Sequence, residues 1–303
     1  MSNIVFRGIV PALLTATQED GSFCEAGMRE LVEHVIQEGA GGVLALGTTG
    51  EPTAWSYEER KQILKVVIDQ AGGRVPVMAG CGAPSTKQTI QFCQMAEEMG
   101  ADALAVVTPY YITPTQEDLI EHYKKVAEAC SQPVYLYNIP QRTGVTITPE
   151  TAACLKQVPG VAGIKDSGGD FSAFRRFMEL NDDSFQVIQG IDAWYLESFR
   201  IGCTAGISGP ANSILKNQKA IYDTCCSGEY DLAEVHHQRF MKLKALIGQA
   251  PGPTVPKEAA NIAGLHVGPP VSPLRRPEGE LLAKLKQVMN EEFKDCFTGG
   301  SIK

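Results

Sequence analysis

Short apolar and β-branched runs recur along the chain. They are GIVPALLT from Gly8, GGVLALG from Gly41, VPVMAG from Val75 and ALAVVTP from Ala103, then PVYLYN from Pro133, VAGIKDS from Val161, FQVIQG from Phe185 and TAGISG from Thr204. Such runs, apolar on both faces, suit strands of a parallel sheet covered on each side. Between them the period changes to that of a helix. Met28, Leu31, Val32, Val35 and Ile36 fall at i, i+3, i+4, i+7 and i+8, one apolar stripe. Ser56 with Glu59 and Ser85 with Gln88 read as capping boxes, and Thr148-Pro149 as a cap followed by proline at the first helical position. Eight strands spaced about 19 to 34 residues apart, each followed by a helix, predict a (β/α)8 TIM barrel. A doubly wound sheet is the rival, and the count of eight at near-even spacing favours the barrel.

From about Ala220 the pattern turns helical, with segments near Glu229–Ile247, Lys257–Ala263 and Glu278–Glu292 separated by PGPTVP and VGPPVSPLRRP. The expected organisation is a barrel over residues 1–220 carrying the active site, with additional C-terminal helices over 221–303 packed on it. Composition narrows the class further. Of 303 residues, 44% are hydrophobic and 20% charged, a globular balance. Lys and Arg number 27 against 35 Asp and Glu, a net charge of −8, which argues against nucleic acid or an anionic membrane as partner. No apolar stretch approaches the roughly 20 residues of a membrane span. The first residues carry no secretory pattern, so the nine scattered cysteines read as reduced thiols of a cytoplasmic protein.

In a TIM barrel the chemistry lies at the C-terminal ends of the strands. Those positions hold Thr48, Thr49 and Glu51 after strand two, and Tyr110 and Tyr111 after strand four. Tyr137 and Arg142 follow on strand five, Lys165, Asp166 and Ser167 on strand six, Gly190 and Asp192 on strand seven, and Ser208 and Gly209 on strand eight. Lys165 is unusual because it ends a core strand. Poor solvation disfavours the ammonium form of a lysine and frees the amine to attack a carbonyl as a Schiff-base nucleophile. The alternative is a structural ion pair, with Asp166 as partner. Tyr137 ends the neighbouring strand, about 4.8 Å away, where a phenol relays protons or simply packs. Thr48 and Thr49 sit between glycines that admit a ligand close to the backbone, or form a tight turn. Arg142 offers a guanidinium fork to a carboxylate, or a rim salt bridge. His236-His237 point apart on a helix, and neither HExxH nor CxxC is present, so no metal site and no cofactor are expected.

GTTGE at Gly47–Glu51, TPYY at Thr108–Tyr111, YNIPQRTG at Tyr137–Gly144 and GIKDSGGD at Gly163–Asp170 resemble the dihydrodipicolinate synthase / N-acetylneuraminate lyase superfamily, in order and spacing over almost the whole chain. The resemblance implies a metal-free, pyruvate-dependent class I aldolase or lyase, usually a homotetramer. It makes Lys165 the Schiff-base lysine and Tyr137 the proton-relay tyrosine. Thr48 and Tyr111 complete the relay, with Tyr111 entering a neighbouring subunit's site. It places Thr49 and the backbone of Ile207 on the pyruvate carboxylate, and gives Gly190 and Ser167 to the substrate pocket. Arg142 resembles the synthase arginine that grips aspartate semialdehyde, and Ala193 after Asp192 disfavours a sialic acid. Other residues depart from synthases. Asp166-Ser167 stands where KEA is typical, and Pro52, Tyr57 and Pro84 replace effector-site residues, so lysine feedback is not expected. The implied reaction is condensation of pyruvate with aspartate semialdehyde. A lyase for another 2-oxo acid, such as a 2-keto-3-deoxy sugar acid, is the alternative, and a 2-oxo-acid-binding regulatory barrel is the non-enzymatic one.

Overall fold

A computed structural model describes residues 5–297. Eight strands run parallel in the order β1-β8-β7-β6-β5-β4-β3-β2. They are β1 Gly8–Pro11, β2 Val43–Ala45, β3 Val77–Gly80, β4 Ala103–Val107, β5 Val134–Asn138, β6 Val161–Asp166, β7 Gln186–Gln189 and β8 Ala205–Ser208. The ring closes where Leu13 N donates to Leu44 O at 2.9 Å, beside a parallel bridge between Ala12 and Leu44. This is the (β/α)8 barrel that the alternating pattern predicts.

The helices are α1 Glu25–Gln37, α2 Tyr57–Ala71, α3 Thr86–Met99, α4 Gln116–Glu128, the single turn α5 Pro140–Thr143, α6 Pro149–Lys156, α7 Phe171–Met178, α8 Tyr195–Arg200 and α9 Ala211–Cys226. Three more follow: α10 Tyr230–Ile247, α11 Thr254–Ile262 and α12 Gly279–Glu292. The stripe on α1 is buried as its spacing requires, with Met28, Leu31, Val32 and Val35 at most 1% exposed. Each such side chain contributes about 1.5–3 kcal/mol of apolar burial. Helix α2 starts with a full capping box: Ser56 N donates to Glu59 Oε2 at 2.8 Å and Glu59 N to Ser56 Oγ at 3.4 Å. Ser85 supplies only half of one, accepting from Gln88 N at 3.3 Å with no bond returned by the Gln88 side chain. Thr148 caps α6 and Pro149 opens it. Helix α11 begins three residues before the spacing suggests, inside PGPTVP, because a proline in the first turn lacks only an N–H that has no helical partner anyway.

Two apolar layers hold the barrel. One lies between strands and helices. The other fills the interior, where the Phe6 and Tyr135 rings meet edge to face at 5.7 Å beneath Ile188 and Ile207. The interior is therefore packed, and the strands open to space for a ligand at their C-terminal mouth. Helix α9 spans position 220, at which the sequence reading divides the chain. Of the segment 221–303, residues 298–303 lie outside those described.

Candidate active site

A cavity of about 340 Å³ opens at the C-terminal ends of the strands. Thr48, Thr49, Tyr137, Arg142, Lys165, Ser167, Gly190 and Ile207 line it, together with Asp192. Phe240, Lys244 and Ile247 of α10 and Pro256 of α11 wall one side. Residues singled out in the sequence thus come from separate strands and their loops to one space.

Strand register explains the central pair. Tyr137 on β5 lies opposite Lys165 on β6, so both side chains leave their strands toward the mouth at the same height. Lys165 is only 4% exposed, and its Nζ sits 3.9 Å from the centroid of the Tyr137 ring. The electron-rich ring face lies where water would otherwise meet this nitrogen. Among the described residues no ion pair and no hydrogen bond engages Nζ. Asp166 does not pair with it, because successive residues of a strand face opposite sides. The Asp166 carboxylate instead accepts from Asn138 Nδ2 at 2.7 Å and Gly168 N at 3.1 Å. Burial pushes the Asp166 carboxyl up to about 6, against these two hydrogen bonds.

Gly190 makes room for the lysine. A Cβ there would stand 2.0 Å from Ser167 Oγ and 3.1 Å from Lys165 Cε. Only a residue without a side chain lets both groups cross β7 into the cavity. Ser167 Oγ donates to Gly190 O at 3.3 Å, and Gln141 Nε2 holds Ser167 O at 2.8 Å. On the other side of Tyr137, its hydroxyl lies 3.2 Å from Thr48 Oγ1. Thr48 stands on the tight turn Thr48–Gly50, and Thr49 packs where a Cβ on Gly209 would come within 3.1 Å of its Oγ1. The phenol thus sits between an amine and a hydroxyl, a route along which a proton can move.

Three charged groups surround this core. Asp192, just past β7, accepts hydrogen bonds from Ser208 Oγ and from Gln218 Nε2, the latter at 2.8 Å. Burial lifts its carboxyl to about 6, while the charges of Lys165 and Lys244 pull the other way. Arg142 on α5 is exposed, on the wall between this cavity and an adjoining one of about 460 Å³ that also touches Arg60, Tyr110 and Leu274. Lys244 carries no ion pair among the described residues and faces the same space. Tyr111 is placed apart: it is 93% exposed, with a left-handed φ of 78°, and does not line the cavity of its own chain. Among the described residues no three His, Cys, Asp or Glu side chains are placed to hold a metal ion.

Lys244 and Gln141 were not singled out in the sequence. Gln141 had a signal, since it adjoins Arg142 on the rim. Lys244 had none: it lies on an amphipathic helix far from any strand, and only the docking of α10 brings it to the mouth.

A barrel whose sixth strand offers a buried, unpaired amine, with a phenol on the fifth and a hydroxyl turn after the second, is an enzyme of the lyase type. Residues 5–292 match the profile of the dihydrodipicolinate synthetase family, and the chain belongs to that family. It is 35% identical over 290 residues, 95% of either chain, to the 4-hydroxy-tetrahydrodipicolinate synthase of Methanopyrus kandleri. Among solved structures, dihydrodipicolinate synthase DapA-2 of Bacillus anthracis superposes with a TM-score of 0.92 at 32% identity, covering 95% of this chain and 99% of that one. The chloride-inhibited enzyme of Acinetobacter baumannii, solved in complex with pyruvate, gives 0.90 at 32% identity over 94% and 98%.

Proposed function

We propose that this chain is a 4-hydroxy-tetrahydrodipicolinate synthase, condensing pyruvate with aspartate semialdehyde through a Schiff base on Lys165. The observation that carries the reading is the unpaired Lys165 amine against Tyr137, which is in turn hydrogen-bonded to Thr48. The relatives' names and the pyruvate complex of one structural neighbour support the choice of substrates.

In this reading Lys165 Nζ adds to the pyruvate carbonyl and water leaves, forming an imine. The carboxylate rests on Thr49 and the backbone of Ile207, with Gly190 and Ser167 framing the methyl group. A C3 proton passes to the Tyr137–Thr48 pair, leaving an enamine. C3 then bonds to the aldehyde carbon, and the same pair returns a proton to the new alkoxide. Arg142 and Lys244 hold the acceptor's carboxylate. Attack on the imine carbon by the acceptor's own amino group, or by water, releases Lys165. Fixing the two reactants side by side supplies much of the rate gain. No metal or organic cofactor enters this scheme.

Borohydride added with pyruvate is expected to leave a reduced adduct on the Lys165 peptide, read by mass spectrometry. The Lys165→Ala chain should show neither adduct nor turnover. An unmodified Lys165 peptide in active protein would overturn the scheme. Cleavage of a 2-keto-3-deoxy sugar acid is a second reading, favoured by the Ser167 hydroxyl in the cavity. Offering aspartate semialdehyde and glyceraldehyde as rival acceptors under one assay separates the two. We also infer a cytoplasmic homotetramer, a reading supported by nine unbridged cysteines and by the exposed Tyr111 and Ile112.

A further inference from the structure

The turn that presents Thr48 and Thr49 is bracketed by two left-handed residues that are not glycine, Leu46 with φ 55° and Glu51 with φ 54°. Such conformations are strained, and they persist only where surrounding bonds over-determine them. Here the bonds can be followed one by one. Gly50 O accepts from Thr15 Oγ1 at 2.8 Å and from Trp55 Nε1 at 3.0 Å. Glu51 uses both carboxylate oxygens: Oε1 accepts from Val271 N at 2.7 Å and Oε2 from Lys257 Nζ at 3.0 Å. The Lys257 side chain is wholly buried, and its remaining protons go to Pro269 O at 2.6 Å and Thr17 Oγ1 at 3.3 Å.

Stability is a poor explanation for this ion pair. Taking two charges out of water costs as much as their attraction returns, and apolar residues of similar volume often serve a fold as well. What the pair does that apolar packing would not is fix a direction. Its bonds run from the strained end of the hydroxyl turn to α11 and the segment Pro269–Val271.

We propose that Lys257 and Glu51 are positioning residues for proton transfer. Their bond holds the left-handed backbone at Glu51, and so keeps Thr48 Oγ1 within 3.2 Å of the Tyr137 hydroxyl. The inference rests on the Tyr137–Thr48 relay described above.

The test measures that relay without any acceptor aldehyde. Full-length native protein, Glu51→Gln and Lys257→Met are each incubated with pyruvate in deuterated buffer, and loss of the C3 protons is followed by NMR. In Glu51→Gln the side chain keeps a single oxygen, which can serve Lys257 or Val271 but not both in their present places, so the turn must shift. Both variants should exchange about 10- to 100-fold more slowly, the scale on which a misplacement of about 1 Å acts. The borohydride adduct at long incubation should remain, as should the far-ultraviolet spectrum well below the thermal midpoint, which itself falls in Glu51→Gln because Lys257 is left buried without its acid. The double variant should be no slower than the worse single one, since both cut the same bond. Exchange within twofold of native in folded Glu51→Gln would overturn the proposal. So would losses that only track the fraction unfolded. If Lys257→Met does not fold, Trp55→Phe cuts the second tether of the same turn and should slow exchange too. If native protein forms no adduct at all, the Schiff-base reading itself fails, a result distinct from either.

Discussion

One peptide bond separates Lys165 from Asp166, yet the two side chains belong to different environments. The alternation of a strand sends the amine to the mouth and the acid behind it, to Asn138 and Gly168. That much is legible in the sequence once β6 is recognised, and it removes the ion pair that was the plain alternative for Lys165. The role of Asp192 is less legible. Its position just past strand seven marks it as a rim residue, but only folding shows Ser208, Gln218, the Tyr195 phenol, Lys165 and Lys244 around it. A carboxyl raised to about 6 by burial binds a proton in the fold that the unfolded chain releases at about pH 3.9. Stability from this group is therefore complete below about pH 4 and lost as pH rises through about 6. Asp192→Asn should remove that slope, gaining about 3 kcal/mol on native protein between about pH 4 and pH 8 in denaturant titrations. An unchanged slope would show that another group titrates there.

At the scale of elements, the apolar runs mark every strand and a period of 3.6 marks α1, because burial on one face is what makes an element persist. Ends were harder. The Ser56–Glu59 signature reads correctly because both halves of the box are made. Ser85–Gln88 has the same spacing, and makes one half. The Thr115–Asp118 box on α4 falls outside the usual pattern, in which the third position holds the longer Glu or Gln. Ser56→Ala removes the hydroxyl that accepts from Glu59 N and donates to Glu59 Oε2, keeps the backbone N–H of the box, and should cost about 1 kcal/mol. In calorimetry that is a fall of about 2 °C in Tm, with the pyruvate adduct unaffected. A larger loss would mean that the start of α2 also steadies the neighbouring hydroxyl turn. The pairing of Tyr137 with Lys165 belongs to this scale as well. Neither residue signals the other, and it is the register of β5 on β6 that makes them neighbours.

The arrangement of eight units is the most legible feature of the molecule, since near-even spacing leaves few other topologies. Assembly is the least legible. Tyr111 carries a strained backbone and a bare aromatic ring, next to Ile112 at 74% exposure. In a homotetramer this tip would serve a neighbouring mouth. Sedimentation should then find native protein as four chains, and Tyr111→Ala should cut turnover about a hundredfold while the Lys165 adduct still forms. A fully active single chain would refute this use of the tip. One more consequence follows from the wall that α10 and α11 give the cavity. During synthesis all eight strands, the last ending at Ser208, are made before Phe240, Lys244 or Pro256 exists. A keto acid therefore finds nothing finished to bind on the nascent chain. Mass-action rescue by metabolite can act only once these C-terminal helices have docked on the barrel.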